Sequence, residues 1–315
     1  MKRWLHRKIW DIAEINDRAA HDLTAFVAEE HARYQQEVQD TARWLAQDVN
    51  GCKLVMLAGP SASGKTTTAM FLRAALAALG VETQVVSLDD FYRGRYLAPR
   101  LPDGSYDYEA LEALNLDRLH SCMREILTTG HTELPLFDFH IGSPAAQTRE
   151  LRIGDRAVVI FEGIHALNPI FEQRLPQQSL YKVFVNTVSP IYKGETKLLA
   201  RRQLRLVRRT LRDMQFRNSP LEQTLEMWQQ VVRGEKEYMF PYVDTVDTLI
   251  DTTHAYEPCV FAGQIVPVLE AMDPAHPQAE MAQKLLAAMR QVQPVDPACM
   301  PKDSLLREFV GGGKY

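Results

Sequence analysis

Residues Gly59-Pro60-Ser61-Ala62-Ser63-Gly64-Lys65-Thr66 match G-x-x-x-x-G-K-[ST] at every fixed position. The apolar run "KLVMLA" precedes them and the helical pattern "TTTAMFLRAALAALG" follows. Glycines at the ends of such a loop let backbone N–H groups turn inward around phosphates. The helix that follows directs the positive end of its dipole to the same point. Lys65 can reach the β- and γ-phosphates, and the Thr66 hydroxyl is placed to ligate Mg²⁺. Gly59, Ser61, Ala62, Ser63, Gly64 and Thr67 complete the expected nucleotide cradle, which implies ATP and Mg²⁺. The loop works only with a buried strand behind it and a helix in front, so it demands an α/β framework.

The remaining pattern agrees. "TQVVSLDD", "RAVVIFEG", "SLYKVFVN" and "DTLIDT" read as further strands, and "LDRLHSCMREILTTG" and "PLEQTLEMWQQVV" as helices. Alternation of this kind predicts a P-loop-type doubly wound parallel sheet, with ligands beyond the carboxyl ends of its strands. "ELPLFDF" and "TRELRI" predict an antiparallel hairpin insertion around the loop His140–Gln147. In residues 1–50, Trp4, Ile9, Ile12, Ile15, Leu23, Phe26 and Val27 recur at helical spacing, as for helices covering a core or a partner subunit. The expected organisation is an N-terminal helical segment (1–50), a P-loop domain (51–274) with an arginine-rich helical stretch at about 191–220, and a C-terminal helical extension (275–315). Its ending, "LLREFVGGGKY", reads as a flexible tail, with folding back over the site or a role in assembly as alternatives.

Composition narrows the function classes. The net charge of −4 argues against nucleic acid as a bulk electrostatic partner. No apolar run approaches the ~20 residues of a membrane helix, and the start lacks a signal-peptide pattern, so a cytoplasmic protein is expected. Cys52, Cys122, Cys259 and Cys299 stand apart, as reduced, packed thiols do. A homo-oligomer is left open.

Phosphoryl transfer needs an acid near the metal and a base for the acceptor hydroxyl. Glu162 ends the strand "AVVIF" and Asp89 ends "VVSL". Asp90, on a strand, would face the other way. Seven arginines lie between Arg201 and Arg217, with Asp213 the one acid nearby. Guanidinium groups stabilise charge on a transferring phosphoryl group best where water is excluded, so one or two of the seven are expected to face ligand.

"GPSASGKTT", "LDDFYR", "SYDYEALEALN", "LPLFDF", "VVIFEGIHALNP" and "RRTLRDMQFRNSPLEQTL" occur in the order found in the uridine kinase/phosphoribulokinase superfamily. The chain resembles a bacterial uridine-kinase-like (nucleoside kinase) branch, through "VVRGEKEYMFPY" and "SLLREFVGG", without that branch's threonyl-tRNA-synthetase-like N-terminal domain. The resemblance implies Asp89 as the base, Tyr92 beside the acceptor and Asp107 on ribose hydroxyls. It also implies Glu162 at Mg²⁺, and Arg209, Arg212 and Arg217 as lid arginines. Phe137 occupies the aromatic position of the family's "YDF"; Asp138, His140 and His165 are further candidates near the acceptor, Asp138 alternatively supporting the hairpin.

Three polar groups that hold a pyrimidine nucleoside in uridine kinases are replaced here by Gly142, Ser219 and Met227. Unpaired polar edges of the base would cost ~1–3 kcal/mol each. The expected activity is therefore an ATP- and Mg²⁺-dependent transfer to a hydroxyl of a small nucleoside-like or sugar-like molecule other than ordinary uridine or cytidine. Two rivals remain. One is a nucleotide-binding regulatory protein with a degenerate acceptor site. The other is a phosphoribulokinase-like sugar-phosphate kinase, with Arg93, Arg95 and Arg100 as its basic pocket.

Overall fold

A computed structural model describes residues 8–49, 53–173, 175 and 180–314. Trp4 and Cys52 lie outside the described residues. The chain opens with β1 (Trp10–Asp11), α1 (Ile12–His21) and α2 (Leu23–Gln47), followed by β2 (Leu54–Ala58), α3 (Lys65–Ala78) and β3 (Glu82–Ser87). Next come α4 (Leu116–Thr129), β4 (His131–Asp138), β5 (Ser143–Arg152), β6 (Ala157–Glu162) and β7 (Leu180–Asn186). The last part holds β8 (Ile191–Lys193), β9 (Thr196–Leu199), α5 (Arg201–Phe216), α6 (Leu221–Gly234), β10 (Thr248–Asp251), α7 (Glu257–Glu270), α8 (Ala279–Met289) and α9 (Arg307–Val310).

Five strands form one parallel sheet in the order β10-β7-β2-β6-β3. Every residue of β2 and β6 is buried, which is why their sequences are continuous apolar runs. Register places Leu57 and Ser87 on either side of Glu162. The loop after β2, the end of β6 and the end of β3 therefore share one edge of the sheet. Glycines end the flanking helices as their spacing predicts: Gly80 follows α3 and Gly130 caps α4, both with positive φ.

One face of the sheet carries a core drawn from Phe26 and Tyr34 of α2, Leu72 of α3, Phe261 of α7 and Phe309 of α9. The opposite face packs Met123 of α4, Leu134 of β4 and Phe171. Trp10 and Asp11 pair in parallel with Ile191 and Tyr192, tying the start of the chain to the β8–β9 hairpin. Among the described residues no helix is long and apolar enough to cross a membrane.

Three local expectations change. The second strand stops at Ser87, and Leu88–Phe91 form a 3-10 turn whose start is capped by the Ser87 hydroxyl, accepting from the Asp89 N–H. The hairpin loop is shorter than His140–Gln147, because Ser143 already pairs with Asp138. The ending is no flexible tail: Leu305, Leu306 and Phe309 are fully buried, since the apolar face of α9 finds a site on the main core. Cys122 and Cys259 are buried free thiols and Cys299 is half-buried.

Candidate active site

The loop after β2 owes its shape to two tight spots. A Cβ at Gly59 would lie 2.2 Å from the Val185 carbonyl oxygen and 2.5 Å from Ser63 Oγ. Gly64 and, unusually, Ala62 adopt positive φ (+87° and +58°), turning the chain back over the start of α3. Tertiary bonds hold this conformation. Thr252 donates its hydroxyl to the Ser63 carbonyl at 2.7 Å, Arg205 donates to the Ser61 carbonyl at 2.8 Å, and the Ser61 N–H donates to Glu235 at 2.8 Å.

Beyond the loop opens a cleft of about 1420 Å³. Ser61, Ala62, Lys65 and Thr66 form one wall; Asp89, Asp90 and Glu162 come from the strand ends; Arg209, Arg212 and Arg217 come from α5 and its end. Asp90 lines the cleft beside Asp89, contrary to the expectation for a strand, because the chain has already entered the 3-10 turn. Thr66 donates its hydroxyl to Glu162 Oε1 at 3.3 Å. This pair of hard oxygen donors suits Mg²⁺, which takes one or two protein ligands and completes its shell with phosphate oxygens and water.

The carboxylates are tuned together. Burial lifts Glu162 to about 7; Lys65 opposes the rise, Asp89 adds to it, the Thr66 bond opposes it and Glu308 adds to it. Asp89 is open to the cleft, yet the crowding walls strip much of its hydration and raise its pKa. Lys65 and Arg217 work against that rise, while Asp90 adds to it. Lys65 thus lies close enough for its charge to be felt at both acids.

The α5 arginines divide by role. Arg205 and Arg208 are sealed from solvent and bonded to Glu235 and Glu257, with Arg205–Glu235 at 2.7 and 2.8 Å. Their partners lie far along the chain, so Asp213 is not the one acid that meets the cluster. Arg209 donates to Ser61 Oγ at 2.8 Å and to Asp213 at 3.1 Å, and Arg212 donates to Glu308 at 3.2 Å. Arg217 bonds Asp213 and is half-exposed at the cleft mouth.

Tyr92, Phe137 and His140 also line the cleft, with Tyr92 and Phe137 in edge contact at 5.6 Å. Three other candidates are turned elsewhere. Asp107 is buried and accepts from Arg233 at 3.0 Å and the Tyr238 hydroxyl at 3.1 Å. Asp138 closes the hairpin by accepting from the N–H groups of His140 and Ile141. His165 is buried against Tyr238 and held down to about 4, chiefly by burial, so it is a neutral packing residue.

The carboxylate that does face the cleft from the 105–115 stretch is Glu109. Its side chain lies over Gly234, where a Cβ would come within 2.5 Å of it. Burial and then Asp89 lift it to about 7, against Arg209 and Lys65. The resemblance pointed to Asp107 of "YDYE", and no local signal pointed to its neighbour Glu109. Glu235 and Glu308, which brace the loop and Arg212, lie in "VVRGEKEYMFPY" and "SLLREFVGG", where nothing local assigned either of them a role.

Residues 54–256 match the model of the Phosphoribulokinase / Uridine kinase family. The chain is similar to the uridine kinase of Mycoplasma genitalium, 28% identical over 179 residues that span 57% of this chain and 75% of that one. It is also similar to the uridine kinase of Saccharomyces cerevisiae, 25% identical over 62% of this chain and 36% of that longer one. The solved D-glycerate 3-kinase of Cryptococcus neoformans superposes on 65% of this chain and 89% of its own, at 17% identity and a TM-score of 0.44.

Proposed function

The chain belongs to the phosphoribulokinase/uridine kinase family, and from that premise we propose that it transfers the γ-phosphate of ATP to a hydroxyl of a small nucleoside-like or sugar-like acceptor. One observation carries this reading: Asp89, Lys65, the Thr66–Glu162 pair, Arg209 and Arg212 face a single cleft. Asp89 accepts the proton of the attacking hydroxyl, and its open position leaves room for one. Lys65 and the loop N–H groups hold the β- and γ-phosphates. Arg209 and Arg212 neutralise charge that develops on the transferring phosphoryl oxygens. Thr66 and Glu162 would hold Mg²⁺, which would supply further neutralisation of phosphate charge. Arg217, half-exposed at the mouth, closes over the nucleotide.

The acceptor differs from ordinary uridine or cytidine. The cleft presents Tyr92, Phe137, Phe139 and Met227 together with His140, and the three positions that hold a pyrimidine nucleoside in uridine kinases are Gly142, Ser219 and Met227 here. Rings of this kind reward stacking without pairing a base's polar edge. Arg95 favours a second reading, a sugar phosphate. It lines the cleft, its guanidinium rests over Gly142, and among the described residues no carboxylate pairs with it. Arg100 is spent on the Gly104 carbonyl and the Tyr106 hydroxyl.

The test is ADP release from MgATP against a panel of nucleosides, pentoses, aldonic acids and sugar phosphates. Turnover with at least one of these, abolished in Asp89→Asn, supports the reading. Efficient phosphorylation of uridine and cytidine would remove the acceptor part of it. Turnover confined to sugar phosphates and lost in Arg95→Gln would select the second reading.

A further inference from the structure

The family match ends at residue 256, yet the last buried segment of the chain reaches the phosphate site. Glu308, on α9, uses both carboxylate oxygens there. Oε2 accepts from the Thr67 hydroxyl at 2.5 Å, and Oε1 accepts from Arg212 Nη1 at 3.2 Å. Thr67 is in the first turn of α3, next to Thr66; Arg212 lines the cleft. We propose that Glu308 is a positioning residue of the phosphate site, presetting the Arg212 guanidinium beside the first turn of α3 before nucleotide arrives. This rests on the kinase reading of the cleft.

The anchoring of α9 makes Glu308 a fixed point. Leu305, Leu306 and Phe309 are sealed in the core, and the Arg208 guanidinium lies 5.0 Å from the Phe309 ring centroid. Leu305 occupies the space beside Gly64, where a Cβ would meet its Cδ1 at 2.7 Å. The segment therefore touches the loop, the helix that follows it and α5 together. An arginine free in solvent loses much rotamer freedom when it engages a phosphoryl group, and one already held in place loses less. Fixed charge aimed at the developing phosphoryl charge is the arrangement that lowers a barrier without reorganisation. The bond to Thr67 keeps Glu308 itself from swinging into the cleft with the guanidinium.

The test compares MgADP with the magnesium complex of a non-hydrolysable ATP analogue by calorimetric titration of the full chain. Wild type, Glu308→Gln, Arg212→Gln and the double variant are measured. Glutamine at 308 keeps an oxygen for Thr67 and removes the charge that holds Arg212. The preference for triphosphate over diphosphate should fall about 10-fold or more in Glu308→Gln, the scale of one charge-assisted hydrogen bond. It should fall no further in the double variant than in Arg212→Gln, as expected for residues acting through one interaction. Glu308→Asp should recover part of the preference. Equal weakening of both nucleotides, an unchanged preference, or additive losses would overturn the proposal alone. A wild-type chain that binds neither nucleotide overturns the kinase reading and this proposal with it.

Discussion

Arg205 grips Glu235 through two parallel bonds of 2.7 and 2.8 Å, and the oxygen that receives one of them also accepts the Ser61 N–H. Both side chains are almost wholly buried. A charge pair thus becomes a brace for the phosphate-binding loop, and its disruption should be felt in the fold and at the nucleotide together. Removing one partner leaves the other charge buried and uncompensated, so Arg205→Ala and Glu235→Ala should each lower stability by about 3–5 kcal/mol. Urea denaturation of the singles and the double checks this; the double variant should lose less than the sum.

Asp89 should matter to chemistry far more than to binding. Asp89→Asn keeps the size of the side chain and removes the base, so transfer should fall about 10²–10⁴-fold. The affinity for MgADP should change only a few-fold. Steady-state rates with the best acceptor, set beside calorimetric titration, separate the two; matched losses in both would contradict the assignment.

Stability should fall with rising pH across a defined window. Burial holds Glu162 and Glu109 at about 7, above the ordinary glutamate value of 4.5. Between about 4.5 and 7 the folded chain holds more protons at these groups than the unfolded chain does. Their contribution to stability is therefore largest below that window and declines through it, at up to ~1.4 kcal/mol per pH unit for each group at the steepest. Denaturation profiles from pH 5 to 7.5 should be flatter in Glu162→Gln and Glu109→Gln than in wild type. MgADP affinity should run the other way, rising through about pH 7 in wild type, because the Mg²⁺-holding role proposed for Glu162 requires its ionised form. In Glu162→Gln that rise should vanish.

The C-terminal turn should behave as core. Phe309 is fully buried and meets Phe261 at right angles with ring centroids 6.4 Å apart. Phe309→Ala should cost about 3–5 kcal/mol of stability. Substitutions in a flexible tail stay within about 0.5 kcal/mol, so thermal or urea denaturation of this one variant distinguishes the alternatives.

Much of the active-site edge could be anticipated residue by residue. The glycines at 59 and 64, the continuous apolar strands and the acid at the end of "AVVIF" are short-range signals, each set by backbone geometry or by burial on both faces of a parallel strand. Asp89 was visible for the same reason, although the turn that presents it, capped by Ser87, was not.

The arginine helix shows where local pattern stops. Its spacing announced an anion-facing surface, but pairing divided its members. Arg205, Arg208 and Arg212 meet acids 30, 49 and 96 residues away, and only the folded chain chooses which guanidinium is neutralised in the core and which reaches the cleft. Asp107 was the expected acid, but Arg233 and Tyr238 hold it in a buried pair, and Glu109, which the sequence did not single out, faces the cleft beside Gly234. Phosphate-binding capacity follows from a few adjacent residues whose backbone angles are locally prescribed. The partition of charge between brace and site follows from contacts between distant segments, because burying an ion depends on whatever counter-charge the fold brings beside it.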